Sequence, residues 1–519
     1  MKRLIVLTVM FAIFAGVNFG FSQTAEVSQR SDISIFSVYS ALNIPDSAKI
    51  YFDNHLVKRI SDLGRFNVLG FQYRLDGNSA SQFLEKIREL KKQQILSDES
   101  LIDERIGVVV LPAEELYKML NSVFIFIPTI SGWNVSSYEI KVNVKKGDSI
   151  VVETKTEHKA EVTISVQIID GEGTLRQTYL ATREATSRDS QVDAYQKAVD
   201  NAIAGLTLFL RNTDEFKLRT RVLQRQGRKI ALELGRDLGL RAGYEFAIQT
   251  RSVLTGGFTM TGTTGLVRVS QVGDNFSWAH VIHGNPQPEE QLIEMPMANK
   301  RISLYGGIST MNVQKADIDF IYVDPSGIIE ASGLTLSPAS IVPDIGIKFE
   351  NELGYAGLLR AKMGFLLNNP WALYLDLGGA YELYLGPVSF DIGGDLSILG
   401  NYFKVGTIPE QFFGVKIDDT WFYNKIDVNL VGITLGLKPA LGFNIQFSQR
   451  FKLRAYGGYQ IYFLPFYSIS FTDSKDSEKS ASVPLTDSSV YFRVNGEEAT
   501  GLPIDFNGVF GGIEFILRF

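Results

Sequence analysis

The C-terminal part of the chain is dominated by segments in which apolar and polar residues alternate. From Leu373 to Leu385 the apolar residues share one face, Asp376 and Glu382 share the other, and the segment after Gly386 repeats this pattern. A period of two predicts β-strands, because successive side chains point to opposite faces. These strands are longer than is usual in globular proteins and carry carboxylates on their second face. They therefore indicate a barrel with lipid outside and a polar lumen.

Residues 299–519 divide most simply into eight such strands, or ten if the long loops hold a further pair. An even number suits a single-chain barrel whose two ends lie on the same side of the membrane. Turns near Gly354, Gly386 and Gln449 are short, and the connection at 368–370 is a short exception among otherwise long external loops. We expect strands near 301–311, 340–351, 357–368, 371–385, 387–400, 429–447, 450–464 and 505–519, with long loops at 312–339, 401–428 and 465–504.

Charged residues on the inward faces of these strands would line the lumen. Both signs occur in near balance, and the interior of an eight-stranded barrel is only wide enough for side chains to fill. Unpaired charges would be costly there, whereas crossed ion pairs satisfy one another. We predict a salt-bridged plug; the alternative is an ordinary polar lumen without a role in selectivity. The residues are Asp344, Lys348, Glu350, Arg360, Lys362, Asp376, Glu382, Asp391, Asp395, Lys438, Lys452, Arg454, Glu514 and Arg518.

Both ends of the sequence carry targeting patterns. Residues 1–22 combine a basic start, a short apolar run and the small residues Gly20 and Ser22, which predicts a signal peptide cleaved after Ser22. The apolar run is too short to span a bilayer as a helix. The last strand alternates to a terminal aromatic residue, which resembles the signal read by the outer-membrane assembly machinery; an ordinary edge strand is the alternative. Its residues are Ile513, Phe515, Leu517 and Phe519.

Residues 23–213 have the pattern of a mixed α/β region that would lie in the periplasm. Ser81–Lys92 has one apolar face, and apolar residues recur at three-and-four spacing from Tyr195 to Leu210, so both stretches predict helices. The wholly apolar run Phe124–Ile127 predicts a buried strand, and 150–155 and 162–169 predict a pair of strands.

Two motifs in this region resemble a known periplasmic fold. The segment Leu63–Leu69 (LGRFNVL) and the strand Val162–Asp170 with its following Gly-Glu-Gly are similar to motifs shared by the CsgG family, the LpoB activator and the N-terminal domain of TolB. The resemblance implies a scaffold-type domain of the cell envelope. This chain departs from the group in having no Cys for a lipoprotein anchor and in carrying its barrel strands at the C-terminus, whereas the CsgG pore strands are inserted within the domain.

Residues 214–298 predict a small β-rich module that ends in a linker. Gly265–Val272 and Trp278–His283 alternate as strands, with a hairpin turn at 273–275. This module resembles one that follows some CsgG-type domains, so the likeness extends over about residues 31–290. Pro286 and Pro288 then suggest a linker into the barrel, which itself resembles small barrels of the OmpA and OmpX type.

Composition and motifs argue against several function classes. With no Cys there is no disulfide and no thiolate site, and a formal net charge of −6 gives no reason to expect nucleic acid. No phosphate-binding loop, His-Glu-x-x-His or Gly-x-Ser-x-Gly motif occurs. His280 and His283 stand three apart, which in a regular strand places them on opposite faces. We expect no catalytic residues, cofactor or metal site.

The fold class is therefore a periplasmic α/β domain, a small β module and a C-terminal transmembrane barrel. We expect a non-catalytic protein of the outer membrane, with its soluble domains in the periplasm and its long loops at the cell surface. Its partners would be lipid, the barrel-assembly machinery and an unidentified envelope protein, and homo-oligomer formation stays open. The alternative is an oligomeric channel or secretion component assembled through the CsgG-like domain. An outer-membrane enzyme ranks last, because all four histidines lie outside the predicted barrel. The charged run 473–480 is either a solvated loop or a surface contact site.

Overall fold

The computed structural model describes residues 27–92, 103–106, 109–146, 149–253, 259–324, 327–367, 371–410, 415–417, 420–485, 490–499 and 504–519. The predicted signal peptide at 1–22 and the connection at 368–370 lie outside these ranges. No helix in the described ranges is long and apolar enough to cross a membrane.

The first region contains both helices and strands. In chain order they are β1 (Ser31–Ser37), α1 (Asp46–Ser61), β2 (Phe66–Arg74), α2 (Gly77–Lys92), β3 (Glu104–Ile106), β4 (Val109–Leu111), α3 (Ala113–Asn121), β5 (Phe124–Lys146), β6 (Ser149–Asp170), β7 (Leu175–Ser187) and α4 (Gln191–Asn212). The main sheet has the order β2-β1-β5-β6-β7, with β1 parallel to both of its neighbours and the other pairs antiparallel. Helices α1 and α4 cover one face, and α2 and α3 cover the other.

Burial on both faces explains the apolar run at the start of β5. Phe124 and Phe126 pack in the cluster under α1 and α4, and Ile125 and Ile127 pack in the cluster under α2 and α3. The long helix is present as α4 and begins at Ser190, whose Oγ accepts the backbone N–H of Asp193 at 3.0 Å. The expected pair of strands at 150–155 and 162–169 is wrong. Both segments belong to the single strand β6, because the polar residues between them continue its pairing with β5.

The second region closes into a small barrel. Its strands are β8 (Arg219–Gln226), β9 (Lys229–Leu232), β10 (Glu245–Val253), β11 (Thr259–Val272), β12 (Ser277–His283) and β13 (Gln291–Glu294). They pair in the order β10-β11-β12-β9-β8-β13, and β13 returns to β10. The interior is apolar and includes Val222, Phe246 and Val267, all fully buried. The expected hairpin between β11 and β12 is confirmed.

The third region contains the remaining strands of the chain. They are β14 (Lys300–Val313), β15 (Ala316–Asp324), β16 (Gly327–Leu336), β17 (Ala339–Leu353), β18 (Gly357–Leu366), β19 (Ala372–Tyr384), β20 (Val388–Ile408), β21 (Val415–Ile417), β22 (Thr420–Phe422), β23 (Ile426–Gln446), β24 (Phe451–Asp473), β25 (Ser480–Pro484), β26 (Val490–Val494), β27 (Glu497–Ala499), β28 (Ile504–Asp505) and β29 (Gly508–Arg518).

Eight of these strands form a closed antiparallel ring. The order is β17-β18-β19-β20-β23-β24-β29-β14, and β14 pairs back to β17 along its length. Each strand of the ring overlaps one of the eight segments expected from the alternating pattern. Closure satisfies the backbone hydrogen bonds of every strand in the ring, which is the condition for β-structure in lipid.

The long connections are not irregular loops in their described parts. Strands β15, β16, β26 and β27 form a separate four-stranded sheet. Strand β21 pairs with β22, and β25 pairs antiparallel with the last residues of β24. The charged run 473–480 forms the tight turn between β24 and β25, in which the Asp473 carboxylate accepts the backbone N–H of Lys475 at 2.9 Å. The expectation of one long loop across 465–504 is therefore wrong, because the alternating pattern of β24 continues to Asp473 and β25, β26 and β27 follow it. Residues 474–478 are exposed in the turn, and a role as a surface contact site stays a prediction.

Candidate functional site

The outer face of the large ring carries a belt of exposed apolar side chains. Leu377, at the middle of β19, is 51% exposed, and comparable side chains project from all eight strands. On β23 they run from Ile433 to Phe443, which spans about 34 Å of strand at ~3.4 Å per residue. At a tilt of about 40° this gives a height of about 26 Å, close to the apolar band of roughly 25 Å on membrane barrels.

One rim of the belt is marked by aromatic and charged residues. Trp371 and Tyr402 stack with their ring centroids 6.2 Å apart. Two residues further along β20, Lys404 faces Asp427 across 3.0 Å at the surface. The change from aliphatic to aromatic to charged side chains is the sequence of environments from hydrocarbon to water at a bilayer surface. The large ring therefore has the outer surface of a membrane barrel.

The inner face of the ring is charged. The structure places all fourteen predicted lumen residues there, and each is at most 9% exposed. Buried charges at this density are tolerable only if nearly every one has a partner of opposite sign. The ion pairs fall into successive groups along the barrel axis.

The first group centres on Glu382. Its carboxylate lies 2.6 Å from the Lys452 Nζ and 2.7 Å from an Arg301 Nη, and it accepts the Tyr384 hydroxyl at 2.8 Å. It also accepts the hydroxyl of Ser389. Four donors from four different strands thus converge on one carboxylate.

The second group centres on Glu514 and Arg454. The Glu514 carboxylate lies 2.6 Å from the Lys348 Nζ and 3.2 Å from an Arg454 Nη. Lys348 also reaches Glu350 at 2.8 Å, and Arg454 pairs with Asp391. Each charge contacts at least one of the opposite sign, so the group is a connected network rather than a set of isolated pairs.

The third group contains two ion pairs and one lysine that is surrounded by aromatic rings. Arg360 pairs with Asp395 at 2.5 Å, and Asp376 pairs with Lys438 at 3.2 Å. Lys362 stands beside Asp376 in the register of β18 and β19 but has no carboxylate within 4 Å in the described residues. Its ammonium group instead lies 4.1 Å from the ring centroid of Tyr305, with further aromatic rings around it.

One cavity between these groups is small. A void of about 20 Å³ beside Arg360 and Lys362 has room for about one water molecule. Hydroxyl groups complete the packing, since Tyr374 donates to Asp344 at 2.6 Å and Ser397 donates to Asp376 at 2.6 Å. This arrangement is a polar plug built from the barrel wall.

Sequence reasoning missed two members of the plug. Arg301 and Glu352 are joined at 2.7 Å and are both buried. Glu352 lies two residues after Glu350 and on the same inward face, but the strand was expected to end at residue 351. Arg301 is the second residue of β14 and lies on the same face as the inward Ser303. The alternation could have found both, and the uncertainty of strand ends excluded them.

The end of the ring that faces the second region is closed by a shared ion cluster. Arg518 lies 2.8 Å from Glu245 of the small barrel and 2.8 Å from Glu352. Arg268 of the small barrel reaches the same two carboxylates at 2.8 Å each. Burial alone would raise the pKa of Glu245, but the guanidinium groups of Arg518 and Arg268 hold that pKa below its ordinary value.

Backbone contacts fix the same junction. Arg268 donates from Nε to the carbonyl of Tyr355 at 3.0 Å and from Nη2 to the carbonyl of Gly354 at 3.2 Å. Gly243, at φ +94°, packs so closely against the Gly354 carbonyl that a Cβ would not fit. The small barrel is therefore seated directly on the turn between β17 and β18.

A second buried cluster joins the small barrel to the first region. The carboxylate of Glu294 forms ion pairs with Arg65, at 2.7 and 2.9 Å, and with Arg211, at 2.8 Å. Burial opposes its charge, but Arg65 and Arg211 keep the pKa of Glu294 below its ordinary value. Arg65 belongs to the segment Leu63–Leu69 that carries the family resemblance. The two clusters tie the three regions into one unit.

The opposite end of the ring is closed by an apolar core. Past the plug, the inward residues of the same strands become apolar, as at Phe403, Leu430 and Phe471. Ile318 and Phe320 of the separate four-stranded sheet belong to this core. The interior is thus filled from the ion cluster at one end to hydrophobic side chains at the other.

The terminal strand places its alternating apolar residues on the outside. Ile513, Phe515 and Phe519 are exposed and Leu517 is partly exposed, whereas Glu514 points inward. The outward row is part of the belt, and its interpretation as an assembly signal stays a prediction.

His280 and His283 are not on opposite faces of a regular strand, as the spacing predicted. Ile282 is a β-bulge in the pairing of β12 with β11, so His280 and His283 do not follow a regular alternation. Burial lowers the pKa of both imidazoles. Among the described residues, no group of three or more His, Asp or Glu side chains is arranged to hold a metal ion.

No protein-family model and no curated protein matches this chain. Solved structures similar to parts of it include a major outer membrane protein from Thermus thermophilus, with 13% identity over 42% of this chain and 99% of that one at a TM-score of 0.25. Others are a PelC dodecamer from Paraburkholderia phytofirmans (12% identity, 36% and 94% covered, TM-score 0.19) and the outer membrane protease OmpT from Escherichia coli (10%, 43% and 99%, 0.17). At these scores the likeness adds nothing to the argument from the residues themselves.

Proposed function

We propose that this chain is a non-catalytic outer-membrane protein whose closed barrel anchors a periplasmic scaffold or binding region. The proposal is supported by the outer belt, whose height is close to that of the apolar band on membrane barrels, and by the interior, which holds a network of ion pairs. A barrel filled in this way offers no path for solutes, so its use lies in holding what is attached to it.

The junction between the two barrels carries the proposal. Glu245 and Arg268 complete an ion cluster whose other members, Arg518 and Glu352, belong to the large ring. The soluble regions are thus seated on the barrel rather than tethered by a free linker. Such seating would hold the first region at a fixed height and orientation above the inner surface of the outer membrane, where an envelope partner would meet it.

The channel alternative has one observation in its favour. Strands β5 and β6 extend beyond β7, whose pairing with β6 begins at His158, and form a two-stranded ribbon. Tyr138, Val151 and Val152 on this ribbon are exposed. A projecting ribbon with apolar side chains could join copies of the first region into a ring, with a pore formed by the assembly rather than by the plugged barrel.

Planar-bilayer conductance of the purified full-length protein separates the two functions. The anchor proposal expects no steady openings at any protein concentration. Large, steady openings would contradict it, and if they depended on Val151 and Val152 they would favour the assembled channel. A heat-modifiable band on electrophoresis would first establish that the barrel is folded.

A further inference from the structure

A cavity of about 600 Å³ lies where all three regions of the chain meet. The end of α1 and the second half of α4 form one side, a loop of the small barrel forms another, and the end of the large barrel forms the base. The residues that matter for its chemistry are Arg59, Asp62, Arg211, Arg241, Tyr244 and Gly354. None of them belongs to the barrel plug.

The wall of this cavity is rich in guanidinium groups. Arg211 is fixed by Glu294 at 2.8 Å and lies 3.9 Å from the ring centroid of Tyr244. Arg59 and Arg241 have no carboxylate within 4 Å in the part of the chain that the structure describes, and Arg241 donates only to the backbone carbonyl of Asp62 at 3.3 Å. Asp62 is the one carboxylate among the lining residues above.

Local structure explains only part of this arrangement. Arg59 lies in the last turn of α1, where a cation is favoured by the helix dipole. Arg241 comes from a different region of the fold, and no such preference places it beside Arg59. Arg59 and Arg241 thus face one cavity from separate regions, and both have free N–H donors. Guanidinium groups arranged in this way can donate paired hydrogen bonds to a phosphate group.

The position of the cavity suggests the source of the phosphate. Its base includes Gly354, and the preceding residue, Leu353, is 46% exposed at the lower edge of the apolar belt. Under the membrane placement proposed above, this is the level of lipid headgroups. We propose that the cavity binds a phosphate-bearing anion, supplied by an anionic phospholipid whose acyl chains lie against the belt.

The test compares lipid retention by full-length protein and variants. Wild type, Arg59→Gln/Arg241→Gln and the control Lys58→Gln would be reconstituted in nanodiscs of phosphatidylcholine with phosphatidylglycerol, released into detergent and examined by native mass spectrometry. Lys58 is exposed next to Arg59 but does not line this cavity. We expect the double variant to retain at least about tenfold less phosphatidylglycerol, since charge-assisted hydrogen bonds are lost, and Lys58→Gln to match wild type.

A second experiment distinguishes a lipid phosphate from a soluble one. It is needed because the phosphate site could exist even if the proposed membrane placement were wrong. Binding of inorganic phosphate would be measured by equilibrium dialysis on the same proteins. Arginine-dependent binding of phosphate without lipid retention would support the site and replace lipid by a soluble ligand. Arg59→Lys/Arg241→Lys, which keeps the charge, checks that a loss is not misfolding and should retain part of the binding. Equal retention by wild type and the glutamine variant, with no arginine-dependent phosphate binding, would overturn the proposal.

Discussion

The chain contains two closed barrels of opposite polarity. In the small barrel Val222, Phe246 and Val267 fill the interior and Arg221 faces outward. In the large barrel the interior holds the ion pairs, while leucine, isoleucine and phenylalanine cover the outside. Both satisfy their backbone hydrogen bonds by closing a sheet, so closure does not decide which face is polar. The surroundings decide it: water favours the first arrangement and lipid the second.

Single strands of the large barrel also change polarity along their length. On β20 the inward residues change from Asp391 and Asp395 to Phe403 and Val405. The outward residues change in the opposite sense, from Leu396 and its neighbours to Lys404. The strand is continuous, and its polarity inverts where the belt ends. Such an inversion is expected where a barrel wall leaves the hydrocarbon and enters water.

The largest effect is expected from stranding charges in the plug. Glu382→Ala would leave Lys452 without its ion-pair partner and Arg301 with one fewer, and breaking a buried pair costs about 3–5 kcal/mol. The urea midpoint of the full chain in lipid vesicles should fall accordingly. Glu382→Leu combined with Lys452→Met removes both charges of one pair, so it should be less destabilising than Glu382→Ala alone. A double variant that is worse than the single one would show that the pair is not a unit.

A smaller effect separates the outer faces of the two barrels. Leu377→Arg should lower the unfolding free energy by about 2–4 kcal/mol, because an arginine at the middle of the belt faces hydrocarbon. Leu223 is also exposed, but on the outside of the small barrel. Leu223→Arg should change stability by no more than about 0.5 kcal/mol. Equal costs at the two sites, measured by urea unfolding in vesicles, would mean that both outer faces meet the same solvent.

Loosening the junction should have a more modest effect. Arg268→Met removes a charged hydrogen-bond donor shared by Glu245 and Glu352, while Arg518 still reaches both carboxylates. We expect a loss of about 2–3 kcal/mol and faster proteolysis of the connection at 295–299. Arg236→Met, which removes an exposed surface pair with Asp274, is the control. Unchanged proteolysis in Arg268→Met would argue that the small barrel is not seated through this cluster.

The smallest expected effect is a change in how the stability of the protein depends on pH. Because Arg65 and Arg211 keep the pKa of Glu294 below its ordinary value, its contribution to stability is complete above about pH 4.5 and is lost as pH falls through the folded-state pKa. Glu294→Gln should therefore be less stable than wild type at pH 7 and less sensitive to acid below about pH 4.5. The difference in slope is at most about 1.4 kcal/mol per pH unit. Parallel pH profiles in thermal unfolding would contradict this.

The alternating pattern located the ring and its charged interior for a physical reason. A strand with one face in lipid and the other in a polar lumen shows a clean period of two, and residues such as Asp376 and Lys438 stand out against it. The alternating pattern did not predict which charged residues pair, because Arg360 reaches past the neighbouring strand to Asp395. Side-chain length and tilt decide that reach, and neither is visible in the spacing.

The junctions were beyond sequence reasoning for a different reason. Glu245 and Arg268 are charged residues at the rim of a barrel whose interior is apolar, so nothing in their own strands marks them as partners of Arg518. Contacts over such separations depend on how whole modules are seated. The distal apolar core was missed because Phe403 and Val405 continue an alternation that was taken to end near residue 400.

Thiol accessibility in proteoliposomes tests the inverted and filled barrel most directly. The chain has no cysteine, so single variants report without background. Leu377→Cys should react with a lipid-soluble maleimide and not with a charged one, Leu223→Cys should react with the charged reagent, and Ser397→Cys, inside the plug, should react with neither. Labelling of Ser397→Cys by the charged reagent as fast as Leu223→Cys would contradict a filled interior, and such labelling of Leu377→Cys would contradict a membrane-facing belt.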